Sequence, residues 1–223
     1  LRHAGYYAEY KIINACDHGL PQHRERVFIV GTRRDVNRAP LTWPAKLPPT
    51  PLASILDPMT AEEEQKDLDT TYPSHPTLRK KVKKAYRRFR QEGIKPSQTP
   101  LVMDIDSTKV HPMFNMSPCL TRSRSASGGH WLTQRGRRLT VRERERLMGL
   151  HIKPWWGGRA VKLKRPRGVT DHAWGAMIGN AIAVPCLQRV LAPLMHTCFD
   201  ISVPDPWVKP QALSYEIYVY ACD

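Results

Sequence analysis

The chain has 223 residues, with 35 Lys and Arg against 20 Asp and Glu, a formal net charge of +15. That length suits one domain or a domain with a small lobe, and the charge points to a polyanionic partner, most simply nucleic acid, whose affinity falls as salt rises. Five scattered cysteines without a Cys-x-x-Cys pair fit a reducing compartment and no zinc site; nine histidines without ligand spacing predict no metal, and no bilayer-length apolar run or signal-peptide pattern is read.

Residues 1–39 read as strand, turn and strand. Lys11 to Asn14 leads into Ala15-Cys16-Asp17-His18-Gly19, with His18 and His23 expected at the surface beside the turn. Gln22, Arg24 and Arg26 lie two apart, so in an extended segment they point the same way. Val27 to Val30 is a continuous apolar run, the pattern of a strand buried on both faces. Two guanidiniums and an amide at such a lip suit a phosphate or a base edge. The competing reading is an ion-paired cluster with Glu25 as one partner. From Pro40 to Pro51 repeated proline disfavours helix and central strand, as where a chain leaves one lobe for another.

Pro76 to Gly93 is the clearest predicted helix, opened by a first-turn proline and closed by glycine. Leu78, Val82, Ala85 and Phe89 share an apolar face. The opposite face carries Arg79, Lys80, Lys81, Lys83, Lys84, Arg87, Arg88 and Arg90. Like charge at that density repels itself on a lone helix, so Arg79, Lys80, Lys83, Lys84 and Arg87 are candidate phosphate contacts, which set affinity and register rather than sequence choice. Residues 95–112 give no usable signal. Ser123 to Gly129 reads as a flexible loop, from which Arg124, with its neighbour Arg122, reaches phosphates or merely links.

Thr140 to Glu143 is a capping box that starts a helix from Val141 to about Leu150. Trp155 to Gly158 and the basic run Lys162 to Arg167 interrupt the chain. Asn180 to Met195 reads as a closing helix with Val184, Leu187, Leu191 and Leu194 or Met195 on one face, and Pro193 expected to kink or end it. Beyond Asp200 a proline-rich tail leads to Tyr215–Tyr220, an alternation that predicts a strand.

These segments carry a resemblance. Gln22-His23-Arg24-Glu25-Arg26 resembles the Gln-x-Arg-x-Arg motif of the DNA cytosine-5 methyltransferases. Ser117-Pro118-Cys119-Leu120-Thr121 with Arg137 to Glu143 is similar to the family's ninth motif, and Ala176 to Pro185 to its tenth. All three occur in family order over residues 5–196. The resemblance implies an α/β fold: the distal part of a Rossmann-like S-adenosylmethionine-dependent methyltransferase sheet with a small inserted target-recognition lobe. The implied divisions are 1–39 for catalytic-domain strands, 40–111 for the lobe, 112–200 for the return to the catalytic domain, and 201–223 for a tail.

In this family a cysteine thiolate attacks carbon 6 of an extruded cytosine, and carbon 5 then takes the methyl group of S-adenosylmethionine. The resemblance implies that Arg26 approaches the flipped cytosine's carbonyl or the adjacent backbone. Arg24 would orient the catalytic loop or a phosphate, and Gln22 would fix the geometry between them. Gly179, Asn180 and Ala181 resemble the last cofactor contact, with Ala181 where the family often has Ser; Asn180 equally reads as a helix cap. Arg138, Leu139 and Thr140 would brace the lobe. Met148-Gly149-Leu150-His151 stands where the family usually has Gln-Gly-Phe-Pro.

The family's Phe-x-Gly-x-Gly loop, Pro-Cys-Gln nucleophile and Glu-Asn-Val are not found among these 223 residues. Pro118-Cys119-Leu120 and Pro185-Cys186-Leu187 have Leu in place of Gln, and both cysteines read as small buried hydrophobes. The expectation is a C-terminal half, inactive by itself. Three readings stay open: an enzyme whose N-terminal half lies outside this sequence, the recognition subunit of a split enzyme, and an inactive nucleic-acid-binding module. The partner is DNA, with RNA left open. The expected location is the nucleus in a eukaryote, or the cytoplasm and nucleoid in a prokaryote.

Overall fold

A computed structural model describes residues 2–37, 40–153 and 160–208. The Trp155–Gly158 interruption and the Tyr215–Tyr220 strand therefore lie outside the described residues. Strands β1 (Tyr6–Asn14) and β2 (Glu25–Arg33) form an antiparallel hairpin, with Ile13 opposite Arg26 and Ile12 opposite Val27. A 3-10 turn, Ala15–His18, joins them. The Asn14 side chain accepts from the Cys16 and Arg24 amides, and Gly19 (φ +90°) supplies the left-handed exit. Two helices follow, α1 (Ala61–Glu64) and α2 (Pro76–Gln91), then β3 (Leu101–Met103) and β4 (Pro112–Phe114). Next come α3 (Arg122–Ala126), β5 (Trp131–Leu132), β6 (Arg137–Arg138), α4 (Val141–Leu147), α5 (Asp171–Asn180) and α6 (Val184–Phe199).

The second sheet has the order β4-β3-β5-β6, antiparallel throughout. Alternation along its strands sends residues to opposite faces. Leu101, Met103 and Trp131 pack with Val82, Ala85, Tyr86 and Phe89 of α2, and Tyr86 accepts a hydrogen bond from the Trp131 indole at 3.1 Å. Val102 and Leu132 face the other way, onto Leu52, Ile55, Leu139 and Leu147. The sheet is thus a filling between α2 on one side and α4 on the other. Its strands β4, β5 and β6 come from beyond residue 111 and only β3 from before it, so the sheet joins the 40–111 segment to the ninth-motif segment. A third cluster holds the hairpin to the last two helices through Ile13, Leu20, Leu120, Met148, Trp174, Ile178, Cys186 and Val190.

The predicted apolar face of α2 is the buried one. Four other expectations are corrected. The run Val27–Val30 is not buried on both faces: Val27 is 58% exposed and Ile29 67%, and with Tyr10 and Ile12 they form an open apolar face of the hairpin. Only Phe28 and Val30 reach the core. Ser123–Gly129 is a loop only in its second part: Thr121 caps the Arg124 amide and starts α3, which holds residues 123–126, and 127–129 form the turn that follows. The closing helix does not begin at Asn180. That residue ends α5, and α6 starts three residues beyond Ala181 with Pro185 in its first turn, then runs through Pro193 to Phe199. Its buried face is Cys186, Arg189, Val190 and Thr197, while Leu187 and Leu191 are 37% and 46% exposed.

His18 is buried rather than superficial. Its Nδ1 accepts from Arg189 at 2.6 Å, and burial together with that cation pushes its pKa down to about 4, so the ring is neutral. Arg189 also pairs with Asp205 at 2.6 Å, and the Trp207 indole donates to Gln188, which docks residues 205–207 on α6. Within residues 171–199 an 18-residue window reaches a mean hydropathy of 1.3, an apolar run that the sequence reading did not single out. The stretch breaks at 181–183 into α5 and α6, whose Trp174, Ile178, Cys186 and Val190 belong to the core.

Candidate functional site

Gln22, Arg24 and Arg26 leave the turn toward one place, as their spacing predicts, yet they do different work. Gln22 is fully buried. Its amide donates to the Leu147 carbonyl at 2.7 Å and accepts from the Leu120 amide at 2.9 Å, so it ties the turn to α4 and to the ninth-motif segment. Arg24 is 3% exposed. Its guanidinium donates to the carbonyls of Leu120 at 2.9 Å, Gly179 at 3.2 Å and Ala181 at 2.8 Å. Among the described residues no carboxylate meets it, and burial lowers its pKa from the ordinary arginine value. A fork with several fixed donors serves three carbonyls in a way that a lysine cannot.

Arg26 differs. It is exposed, braced by a 2.6 Å hydrogen bond to the Glu25 carbonyl, and reaches the Cys119 sulfur at 3.7 Å; Arg24 reaches the same sulfur at 3.6 Å. Glu25 offers its backbone rather than its carboxylate, so the ion-paired cluster is not what forms. Of the three motif residues only Arg26 has its guanidinium open to a ligand, above a floor that Gln22 and Arg24 hold still.

The tenth-motif residues sit beside that floor. Gly179 has a packing reason to be glycine: a Cβ there would run into the Thr121 carbonyl and come within 2.7 Å of the Arg122 Cα. The Gly179 and Ala181 carbonyls are occupied by Arg24. Asn180 is exposed at the end of α5, and its side chain bonds to nothing among the described residues. An exposed amide offers a donor and an acceptor, which fits the amino-acid end of S-adenosylmethionine. Cys186 is a buried thiol whose pKa burial raises to about 12, too unreactive for a nucleophile.

The predicted phosphate contacts divide. Lys80, Lys84, Arg87 and Arg122 are exposed and unpaired among the described residues. Arg79 folds back on the Pro73 and Ser74 carbonyls, Lys83 stacks 5.2 Å over the Tyr72 ring, and Arg124 is taken up by Asp104 at 2.7 Å. Arg124 is therefore a tie between α3 and the end of β3, its charge met by Asp104. No group of three metal-ligating side chains is assembled among the described residues.

A clamp that the sequence did not reveal joins α1 to α4. Glu143 is fully buried and accepts from both Arg137 terminal nitrogens, at 2.8 and 3.0 Å, and from the Asp57 and Thr140 amides. Glu63 takes the Arg137 Nε, and Asp57 pairs with Arg146 at 2.7 Å. Burial alone would make Arg137 easier to deprotonate, but the two carboxylates outweigh it and raise its pKa. The capping box was legible; the second function of its glutamate, as the centre of a clamp, depends on residues eighty positions away.

The model of the C-5 cytosine-specific DNA methylases matches residues 1–196. The chain belongs to that family. This cytosine-5 methylase chain is 28% identical over 151 residues to the Type II methyltransferase M.NgoBI of Neisseria gonorrhoeae, covering 67% of the chain and 42% of that relative. A segment of 33 residues is 64% identical to the Type II methyltransferase M.MthTI of Methanothermobacter thermautotrophicus, covering 15% of the chain and 10% of the relative. The fold is similar to that of the Entamoeba histolytica methyltransferase EhMeth, with a TM-score of 0.50 at 17% identity, over 89% of this chain and 55% of that one. The chain thus spans less than two thirds of the length of these relatives. Family and fold together imply use of S-adenosylmethionine.

Proposed function

We propose that these residues supply the target-cytosine side of a DNA cytosine-5 methyltransferase. The nucleophile and the main cofactor loop come from a segment or subunit outside the 223 residues. The observation that carries this reading is the exposed Arg26, held by a buried Gln22–Arg24 staple. Such an arrangement presents preorganised donors to a carbonyl or phosphate oxygen with little reorganisation at the moment of reaction. Bound S-adenosylmethionine supplies the methyl group; Asn180 would hold its amino-acid end. Arg26 would donate to the extruded cytosine's carbonyl or the backbone beside it, favouring the charge that develops on the ring when a thiolate adds. Gln22 and Arg24 act through Arg26, as positioning residues, by fixing the turn against α4, Leu120 and the end of α5.

Methyl transfer from labelled S-adenosylmethionine to a cytosine-containing duplex tests the proposal, with the chain alone and mixed with the N-terminal part of a related methyltransferase. The expected result is activity only in the mixture, and a loss of about a hundredfold or more in Arg26→Ala, as for one donor at a developing charge. Methyl transfer by the chain alone would place a nucleophile inside it and overturn the division of labour. A silent mixture that still binds DNA would favour the inactive binding module.

A further inference from the structure

The basic face of α2 lies on the far side of the lobe from Arg26. Its buried residues Val82, Ala85, Tyr86 and Phe89 pack on the sheet, and the sheet's other face packs on α4, to which Gln22 is tied. At 100° per residue Lys80, Lys84 and Arg87 stand half a turn from the buried face, so they point away from the catalytic side. A groove of about 520 Å³ opens along this outer region. Lys84 and Arg87 line it from α2, and Lys109 from the segment before β4. Ala85 and Val110 are among its lining residues, and no acidic side chain is. The far wall is fixed by Lys81, whose ammonium donates to the Ile105 carbonyl at 3.3 Å and the Ser107 carbonyl at 2.7 Å. Lys81 is thus a strut rather than a ligand group. Of the nearby acidic residues, Glu92 pairs with the lining residue Arg88 at 3.6 Å, and Asp104 and Asp106 are taken up by Arg124 and Arg138.

We propose that this groove is a second nucleic-acid site, which grips a phosphodiester backbone away from the cytosine being modified. Cations on both walls with an apolar lining between them match a strand whose phosphates alternate with sugars. A solitary anion would need convergent donors instead. The inference rests on the DNA reading above but concerns a different surface. Contacts there raise affinity and set how long DNA is held, without touching the reacting ring.

The test is the 223-residue chain carrying Lys84→Gln, Arg87→Gln and Lys109→Gln together, beside Lys84→Arg with Lys109→Arg, and Arg26→Ala. Fluorescence anisotropy with a short labelled duplex is recorded across a salt series, with thermal melting as a check on folding. The neutralised variant should melt like the wild type and bind roughly tenfold or more weakly at low salt, its salt slope shallower by about 2 to 3, near 0.9 per lost phosphate contact. The Lys→Arg pair should keep the slope. Arg26→Ala should lose methyl transfer in the reconstituted mixture with little change in slope. An unchanged slope in the neutralised variant would overturn the groove and leave the catalytic proposal standing. Loss of methyl transfer in that variant at saturating DNA would make the groove part of the target site and overturn its separateness. Groove-dependent binding to phosphatidylserine vesicles with an unmoved DNA slope would replace nucleic acid by a membrane surface. A wild-type chain that binds no DNA would sink both proposals.

Discussion

Two arginines, Arg24 buried and Arg137 half-buried, show two ways of holding this molecule together. Arg24 meets only carbonyl dipoles and a thiol, and burial makes its charge harder to keep. Arg137 meets two carboxylates that bind its charge more firmly than water does. The first arrangement is geometric: three carbonyls from two segments must stand in the right places for one fork. The second is electrostatic, a clamp in which removing either partner strands the other. Arg24 lies next to Arg26 and the end of α5, where position matters to the proposed chemistry. Arg137 lies between Glu63 of α1 and Glu143 of α4, where cohesion is what is required.

Substitutions can break that contrast. The largest loss of stability is expected from Glu143→Ala, which leaves Arg137 and two backbone amides without their buried acceptor, at about 3–5 kcal/mol by denaturant unfolding. A change under about 1 kcal/mol would show that solvent reaches the clamp easily. Next comes Arg24→Ala, at about 3 kcal/mol, because the Leu120, Gly179 and Ala181 carbonyls lose their donor. Arg24→Lys should recover only part of it, since an ammonium lacks the planar fork. In the reconstituted mixture Arg24→Lys should lower methyl transfer more than it lowers stability, whereas substitutions at Arg137 should do the reverse.

Gly179→Ala sharpens the geometric side. The added methyl meets backbone of α3 rather than a flexible side chain, so about 1–3 kcal/mol of overpacking cost is expected in a thermal or denaturant melt. Equal stability would show that α5 can slide on α3. The smallest effect is one of pH. Burial raises the Glu63 carboxyl, but Arg137 and the Thr60 amide overcome that and hold it below its ordinary 4.5. A carboxyl with a depressed folded pKa stabilises the fold above its unfolded value, and that contribution vanishes as pH falls through the lower folded value. Glu63→Gln should therefore narrow the gap between denaturant midpoints at neutral pH and below about pH 4.5. A mutant with the wild-type acid slope would remove Glu63 from the clamp's electrostatics.

Much was legible in the sequence where local rules and packing agree. The helix Pro76–Gln91 showed its start, its apolar face and its basic face, because burial follows the 3.6-residue repeat and both ends carry their signals. The capping box at Thr140 formed as read. The motif order was enough to indicate the family. Less legible were segments whose environment is set by distant chain. Ser123–Gly129 looked like linker by composition, yet its first four residues belong to α3, because Thr121 caps that helix and α5 packs on it through Gly175 and Gly179. Val27 and Ile29 looked like a buried strand, and in this chain the hairpin leaves them open, a face that favours association or aggregation.

By itself the sequence determined which residues carry charge and donors, where proline and glycine stop elements, and the presence of Gln22, Arg24 and Arg26 at two-residue spacing. Tertiary structure alone decided that two of those three face inward as staples and that Arg26 is exposed. It also decided that Arg124 answers to Asp104, that Glu143 is the hub of a clamp, and that α2 packs its apolar face on the sheet and leaves its basic face outward. The physical reason is the same in each case: a polar side chain's role is set by the nearest partner and by the water it has lost, and both belong to the folded neighbourhood rather than to the spacing of letters.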